Sequence, residues 1–180
     1  MLGSLQTEPA RSRPDLLAPP VAAGLAAWAG RPGDVLVAQI DPELADTASF
    51  CAAYQVDLDA SGNCVVVVGK RGGEVRYAAC LVLATTRTDV NGVVRRHLDV
   101  RKASFASTED ATARTGMAYG GITPIGLPEG WPVLIDARVI QAGYLVIGSG
   151  VRHSKLVLPA PALATLPGAE VLDALARPIG

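Results

Sequence analysis

Thr115-Gly-Met-Ala-Tyr-Gly-Gly-Ile-Thr-Pro-Ile-Gly126 is the stretch of this sequence that decides the fold, and its second half is a loop rich in glycine and proline. Glycine lets the backbone approach a ligand closely and exposes N–H groups, and Pro124 stiffens the turn. Such a loop can seat a carbonyl oxygen or a ribose without charged side chains. Composition alone favours the alternative, an ordinary surface loop, so the rest of the chain must decide between the two.

The length and charge of the chain limit the kind of protein to which this loop can belong. The 180 residues suit one domain, and we expect a flexible N-terminus over residues 1–15 and a single domain over residues 16–180. Hydrophobic residues make up 49% of the chain, which is enough for a proper core. A net charge of −1 excludes a generally basic surface for nucleic acid, so any RNA contact must be local.

Strand and helix patterns follow one another along the chain without a regular strand–helix–strand order. Hairpin signals outnumber crossover signals, which predicts the α+β class with a mixed, largely antiparallel sheet and surrounding helices. Asp46 (or Thr47) and Ser107 are helix-capping residues that mark helix starts. The predicted strands cover residues 35–40, 64–68, 74–84, 102–106, 131–139, 144–148 and 155–158, and the predicted helices cover residues 20–29, 47–54, 90–97, 108–116 and 160–176.

Cysteine, histidine and hydropathy patterns argue against several other classes of protein. Three widely spaced cysteines without a Cys-x-x-Cys motif give no disulfide or zinc framework, and two histidines 56 positions apart give no metal-ligand spacing. We therefore expect no metal and no cofactor. No apolar run reaches the length of a membrane span, and Asp15, Pro19 and Pro20 interrupt the pattern of a signal peptide. A cytoplasmic protein without a membrane partner is the expectation.

Several segments, taken in order and spacing, resemble the YbaK and prolyl-tRNA-synthetase insertion-domain family of aminoacyl-tRNA deacylases. The glycine loop is similar to the family signature and contains its Gly-x-x-x-Pro motif as Gly120 and Pro124. The order of several segments is far more specific than any one of them, and the match covers about residues 35–170. The matching segments are Lys102-Ala-Ser-Phe105, residues 115–126, Val133-Leu-Ile-Asp136, Val146-Ile-Gly-Ser-Gly150 and Lys155-Leu-Val-Leu158.

The resemblance implies a fold, a reaction and partners. The fold is a mixed, partly barrel-like sheet with helices packed on it. The reaction is hydrolysis of the ester that joins a wrong amino acid to tRNA, so the acceptor end of an aminoacyl-tRNA is the implied partner and a synthetase is a further candidate. The implied substrate-binding residues are Gly120, Gly121, Ile122, Thr123, Pro124, Gly126, Asp136, Gly148, Ser149 and Gly150.

One position departs from the family pattern in a way that bears on catalysis. The family places a lysine before the apolar run of an early strand, and Asn63 stands at that position, in Gly62-Asn-Cys-Val-Val66. An ammonium offsets developing oxyanion charge, whereas an amide donates only a neutral hydrogen bond. Two interpretations therefore stay open: Asn63 positions a water or the substrate in a deacylase, or the protein is a catalytically silent module that binds an aminoacyl, nucleotide or tRNA end.

Other reactive side chains carry weaker signals. Ser149 and His153 are close in sequence, but no Gly-x-Ser-x-Gly elbow surrounds Ser149, so a serine hydrolase is not expected. Cys64 has no neighbour in sequence that would lower its pKa, and we interpret it as a core or pocket-wall residue. Asp136 ends an apolar strand, where it can bind a substrate amino group or cap the following turn.

A basic cluster lies between residues 87 and 102. A solvated helix face is the usual meaning of such a run, and phosphate contact is the alternative. Combined with the family resemblance, the cluster makes contact with a tRNA acceptor end an equal candidate. The predicted RNA-contact residues are Arg95, Arg96, Arg101 and Lys102.

Overall fold

The computed structural model describes residues 2–33 and 35–180. Short 3-10 turns and one π-helical turn, Val90–Val94, complete the elements. The α-helices are α1 Pro19–Ala27, α2 Thr47–Tyr54, α3 Arg95–His97, α4 Thr108–Thr115 and α5 Ala137–Ile140. The strands are β1 Thr7–Pro9, β2 Leu36–Gln39, β3 Gly62–Arg71, β4 Glu74–Leu83, β5 Thr86–Thr88, β6 Lys102–Phe105, β7 Val133–Asp136, β8 Tyr144–Gly148, β9 Ser154–Pro159, β10 Ala169–Leu172 and β11 Ala176–Pro178.

Two larger sheets and a two-stranded ladder form the framework. One sheet has the order β1-β2-β9-β8, the other β10-β7-β4-β3-β6, and β11 pairs with β5. Strand pairing is antiparallel except that β7 runs parallel to β4 and to β10. A parallel bridge between Ser61 and Val146 brings the start of β3 beside β8, so the two sheets meet there without closing into a barrel. The predicted α+β class with a mixed, largely antiparallel sheet is confirmed.

Local sequence signals explain the elements that flank the later site. The Asp46 side chain accepts a hydrogen bond from the backbone N–H of Ser49 and so caps α2. Ser107 caps α4 in the same way, and the helix ends at Gly116 with a positive φ of 66°. The β3–β4 hairpin turns at two glycines in the left-handed region. These predicted helix starts and this hairpin are confirmed.

Three apolar clusters fill the spaces between the layers. The largest lies between the two sheets and under α1, with Val37, Leu81, Ile135, Ile147 and Leu156 fully or almost fully buried. A second cluster packs the π turn and two residues that follow α3, Leu98 and Val100, on the outer face of the five-stranded sheet. The third holds α2 against the four-stranded sheet through its buried Phe50. The start of β3 packs beside β8 where the Ser61–Val146 bridge joins the two sheets.

Two predicted elements at the C-terminal side differ from the structure. The helix predicted over residues 160–176 is wrong: a 3-10 turn at Ala160–Thr165 is followed by β10 and β11. Pro167 and Gly168 prevent a continuous helix there, because proline lacks a backbone donor and Gly168 has a φ of 76°. The residues of β10 gain hydrogen bonds by joining β7. The strand predicted over residues 131–139 is shorter, because Asp136 caps α5.

The N-terminal segment lies against the four-stranded sheet. Thr7–Pro9 pair with β2, and Ala10 and Leu16 are buried in the largest apolar cluster. Met1 lies outside the described residues, and the flexibility predicted for residues 1–15 remains a prediction about solution behaviour. None of the described helices is long and apolar enough to cross a membrane.

Candidate functional site

A cleft of about 530 Å³ opens where the start of β3 meets the glycine loop and the β8–β9 turn. Its floor comes from β3 and the end of β8, and its rim from the N-terminus of α2 and the β6–α4 junction. It is lined by Ala45, Asp46, Thr47, Gly62, Asn63, Cys64, Val65, Val66, Phe105, Ala106, Thr108, Ala111, Tyr119, Gly120, Ile122, Gly148, Arg152 and Lys155. We call this space the β3 cleft.

Two glycine-rich segments are joined backbone to backbone along one wall of the β3 cleft. The Ala118 N–H donates to the Gly150 carbonyl at 2.8 Å, and the Gly150 N–H donates to the Gly121 carbonyl at 2.7 Å. A Cβ on Gly148 would lie 2.5 Å from the Gly121 carbonyl oxygen, so only glycine permits this approach. The glycine loop is thus a fixed wall rather than a free surface loop.

Arg152 clamps the same wall to the opposite rim. Its guanidinium donates from Nη1 to the Tyr119 carbonyl and from Nη2 to the Pro42 carbonyl, both at 3.0 Å. The side chain therefore ties the β8–β9 turn to the glycine loop and to the segment before α2. It also adds a positive charge to the cleft that the sequence did not single out.

Asn63 lies in the β3 cleft, as the family resemblance implied, and its orientation is fixed. The Thr47 hydroxyl donates to the Asn63 carbonyl oxygen Oδ1 at 2.6 Å. Because the carbonyl side of the amide is occupied by Thr47, the Nδ2 group points away from it and has no hydrogen-bond partner among the described residues. An amide held in this way can donate to a ligand in the cleft.

Lys155 is the site residue whose role the sequence did not reveal. It follows the β8–β9 turn, stands opposite Gly148 in the β8–β9 ladder, and lies in the wall of the β3 cleft with only 9% of its surface exposed. The Nζ atom donates to the Ala45 carbonyl at 3.0 Å and lies 5.3 Å from the centre of the Phe50 ring. The cleft therefore contains a buried lysine after all, on β9 instead of β3.

The ammonium of Lys155 is held there at an energetic cost. Among residues 2–33 and 35–180 no carboxylate lies within ion-pair distance of it, and burial lowers the pKa of the Lys155 ammonium below its ordinary value of 10.5. A buried charge without a counter-ion is expensive and is typical of functional sites. A signal was present in the sequence: Lys155 is the one charged residue in the apolar strand Ser154–Pro159.

The protonation states of two further titratable groups in the β3 cleft follow from their surroundings. Hydrogen bonding from Ser49 lowers the pKa of the Asp46 carboxyl, so this rim residue is ionised at neutral pH. Burial raises the pKa of the Cys64 thiol, which therefore stays protonated. Cys64 is a wall residue without a thiolate, in agreement with the sequence interpretation, and Asp46 contributes a carboxylate to the rim.

Several predicted substrate-binding residues lie outside the lining of the β3 cleft. Asp136 is fully buried, and its two carboxylate oxygens accept from the N–H groups of Arg138 and Ala176 at 3.0 and 2.9 Å. Of the two roles considered for Asp136, these hydrogen bonds are those of a residue that caps a turn. Ser149 is likewise fully buried and bonded to the Ser154 hydroxyl at 2.7 Å.

The predicted glycine loop divides between two sides of the wall. Gly120 and Ile122 line the β3 cleft, whereas Pro124 and Gly126 line a separate groove beside Trp28 and Trp131. Thr123 lies between these two pairs and is fully buried. Gly121 and Gly150 support the wall through their backbone contacts. Of the predicted substrate-binding residues, the lining therefore includes Gly120, Ile122 and Gly148, and a ligand role for the others remains a prediction.

The predicted RNA-contact residues lie on α3 and at the start of β6, at the opposite end of that strand from the β3 cleft. Arg95, Arg101 and Lys102 line one groove, which also includes Lys70, whereas Arg96 is exposed but outside that lining. The imidazole of His97, next to them, contacts the carboxylate of Glu170. Among residues 2–33 and 35–180 no group of three or more His, Cys, Asp or Glu side chains could hold a metal ion.

The family follows from comparison with known proteins. The chain matches the model of the aminoacyl-tRNA editing domain family over residues 41–166, and it belongs to that family. The matched range contains the glycine loop, Asn63 and Lys155. The resemblance predicted from the sequence is confirmed, and the cleft described above lies inside the editing domain.

Solved structures share the fold at low sequence identity. A candidate trans-editing enzyme for prolyl tRNA synthetase has a TM-score of 0.72 and 22% identity, covering 87% of this chain and 94% of that one. The hypothetical protein APE2540 has a TM-score of 0.70 and 17% identity, covering 80% and 92%. A candidate signal transduction protein from Marinobacter aquaeolei VT8 has a TM-score of 0.58 and 17% identity, covering 87% and 30%. These likenesses show the fold.

Proposed function

We propose that this protein is a trans-acting deacylase that hydrolyses the ester of mischarged tRNA in the β3 cleft. The observation that carries the proposal is the Lys155 ammonium, buried in the cleft wall beside the glycine loop. In this chain Lys155 supplies the cation that the family carries on the strand where Asn63 stands. The cost of burying an unpaired ammonium is explained if the cleft has to stabilise negative charge.

The groups of the β3 cleft suit the parts of an aminoacyl ester. The ionised Asp46 carboxylate on the rim fits the substrate ammonium, and the wall formed by Ile122, Cys64 and Val66 fits an apolar side chain. The ester carbonyl then faces the side of the cleft where Lys155 and the Asn63 amide lie. Those two groups are the donors for the carbonyl oxygen.

Hydrolysis needs few groups beyond this arrangement. A water oxygen bonds to the ester carbon, and the carbonyl electrons move to an oxyanion that Lys155 and Asn63 stabilise. The bond to the ribose oxygen then breaks, the carbonyl re-forms, and the ribose oxygen takes up the proton released by the water. The products are the free amino acid and a tRNA with a free hydroxyl. An ester is an activated substrate, so positioning and charge stabilisation suffice without a nucleophile.

A panel of mischarged tRNAs tests the proposal directly. We expect the purified protein to release at least one amino acid with a small side chain faster than the uncatalysed reaction, and to leave correctly charged tRNA intact. Release is measured with radiolabelled amino acid, and protein denatured by heat is the control. Tight binding of a non-hydrolysable aminoacyl-adenosine without any release would instead support the silent binding module.

Replacing Asn63 with alanine should weaken hydrolysis by about tenfold or more. The change removes a fixed amide donor, and the loss of one donor to a developing oxyanion costs up to about 10²–10³ in rate. Thr47 also loses its acceptor, so Thr47→Val is the matched control that removes the same hydrogen bond but keeps the amide. Single-turnover rates that match wild type for Asn63→Ala would make Asn63 purely structural.

A further inference from the structure

A second, basic groove lies beside the β3 cleft at the edge of the five-stranded sheet. Its lining carries four cationic side chains, Lys70, Arg95, Arg101 and Lys102, and includes no aspartate or glutamate. Its volume is about 770 Å³. We call it the β6 groove, because the edge strand β6 forms its side. The small net charge of the whole chain makes this local concentration of positive charge distinctive.

Two of these cations face each other in the sheet. Lys70 and Lys102 are directly opposite in the β3–β6 ladder. Like charges at such a position destabilise a strand pair. Other arginines close to this edge are neutralised: Arg71 and Arg76 both form ion pairs with Asp99. No described carboxylate forms an ion pair with Lys70, Arg95, Arg101 or Lys102, so this repulsion is relieved when an anion enters.

The β6 groove and the β3 cleft lie end to end on the same two strands. On β3 the cleft is lined up to Val66 and the groove from Val68, and on β6 the groove is lined up to Ser104 and the cleft from Phe105. Asn63 and Lys70 are seven residues apart on β3, a separation of about 23 Å along the strand. Phe105 stands at the junction with 55% of its surface exposed, as a ring on which a base can stack.

We propose that the β6 groove holds the phosphates of the single-stranded 3′ end of tRNA and so delivers the aminoacyl ester to the β3 cleft. This inference rests on the proposed function and adds the route and the residues: Lys70, Arg95, Arg101 and Lys102 for phosphates, and Phe105 for a base. Lysine on an edge strand also protects against pairing with other chains. That role explains Lys102, but not Arg95 on α3 or Arg101 before the strand.

The test compares two variants that remove the same charge from different faces. The groove variant, Arg95→Gln with Arg101→Gln, removes two of the four positive charges that line the β6 groove. The control variant, Arg11→Gln with Arg31→Gln, removes two exposed arginines from the N-terminal face. The probe is an RNA minihelix that has a single-stranded 3′ end and carries no amino acid. Its Kd is measured over a range of salt concentrations. A blunt minihelix without the overhang is the second probe.

We expect the groove variant to bind the overhanging minihelix at least tenfold more weakly at low salt. The slope of log K against log salt should fall by about 1.4, because two phosphates of a single strand are no longer neutralised by arginine. The control variant should stay within about twofold of wild type. Equal losses in the two variants, or equal binding of blunt and overhanging RNA by wild type, would overturn the assignment of the groove.

Hydrolysis separates this inference from the proposed function. On aminoacyl-tRNA the groove variant should lose at least tenfold more in kcat/KM than it loses on aminoacyl-adenosine, which does not reach the groove. Full activity of the groove variant on aminoacyl-tRNA would overturn the assignment of the β6 groove as the site that binds the tRNA 3′ end. If wild type hydrolyses neither substrate but still binds the overhang through the groove, the proposed function fails and the groove assignment stands.

Discussion

Replacing Lys155 with methionine will lower the rate of ester hydrolysis by about 10²–10³-fold, the typical effect of removing one group that stabilises an oxyanion. Methionine keeps the length and apolar contacts of the side chain but has no charge and no donor. The loss should appear in kcat as well as in kcat/KM, because the charge develops only in the transition state. Wild-type activity should also fall at alkaline pH as Lys155 loses its proton, since its pKa lies below 10.5.

The same variant should be more stable than wild type. Exchanging a buried charge for a well-packed apolar side chain is often stabilising, here by about 1 kcal/mol after the lost donor to Ala45 is counted, or about 2–4 °C in Tm. Because the pKa of Lys155 is lowered in the folded protein, the unfolded chain binds more protons between that lowered pKa and 10.5. The free energy of unfolding of wild type therefore rises with pH in this window, and that of the variant lacks this rise.

Urea titrations and single-turnover assays on the same preparations check both halves of this prediction. Loss of activity with gain of stability marks a functional group that the fold maintains at a cost. A variant that loses several kcal/mol would instead mark Lys155 as a structural residue. Unchanged hydrolysis in a stable variant would remove it from the mechanism.

Most local structure was predictable because the signals are local. Asp46 and Ser107 cap α2 and α4, and Gly72 and Gly73 make the hairpin, through interactions within a few residues. The C-terminal segment was not predictable in this way. Its alanine-rich composition favours a helix, but β10 is stabilised by pairing with β7, more than thirty residues earlier in the chain.

The candidate site was predictable in part for a related reason. The glycine loop and Asn63 were found because a family pattern marks their positions. Lys155 was assigned only to a strand, because its place in the cleft depends on the β8–β9 pairing and on the approach of β3 to β8. Ser149 and Asp136 were assigned to the site by their places in the family pattern, but their hydrogen bonds are used inside the fold.

Moving the cation from β9 to β3 tests which property of the ammonium determines hydrolysis. We expect that its presence in the cleft is decisive and that the strand which carries it is not. In the Lys155→Met background, Asn63→Lys should restore hydrolysis by about tenfold or more, because residue 63 lines the same cleft and an ammonium there can face the same carbonyl. In the wild-type background the same change should lower activity. Two ammonium groups then share one partly buried cleft, and each disfavours the charge of the other.

The sign of Asn63→Lys therefore reverses between the two backgrounds, which a double-mutant cycle on kcat/KM measures. Thr47 loses its hydrogen-bond acceptor in both backgrounds, so this structural cost cancels in the coupling term. Additive effects would mean that Lys155 and residue 63 act independently. A strong gain from Asn63→Lys in the presence of Lys155 would mean that the natural cleft lacks a working cation, and the deacylase proposal would give way to the silent binding module.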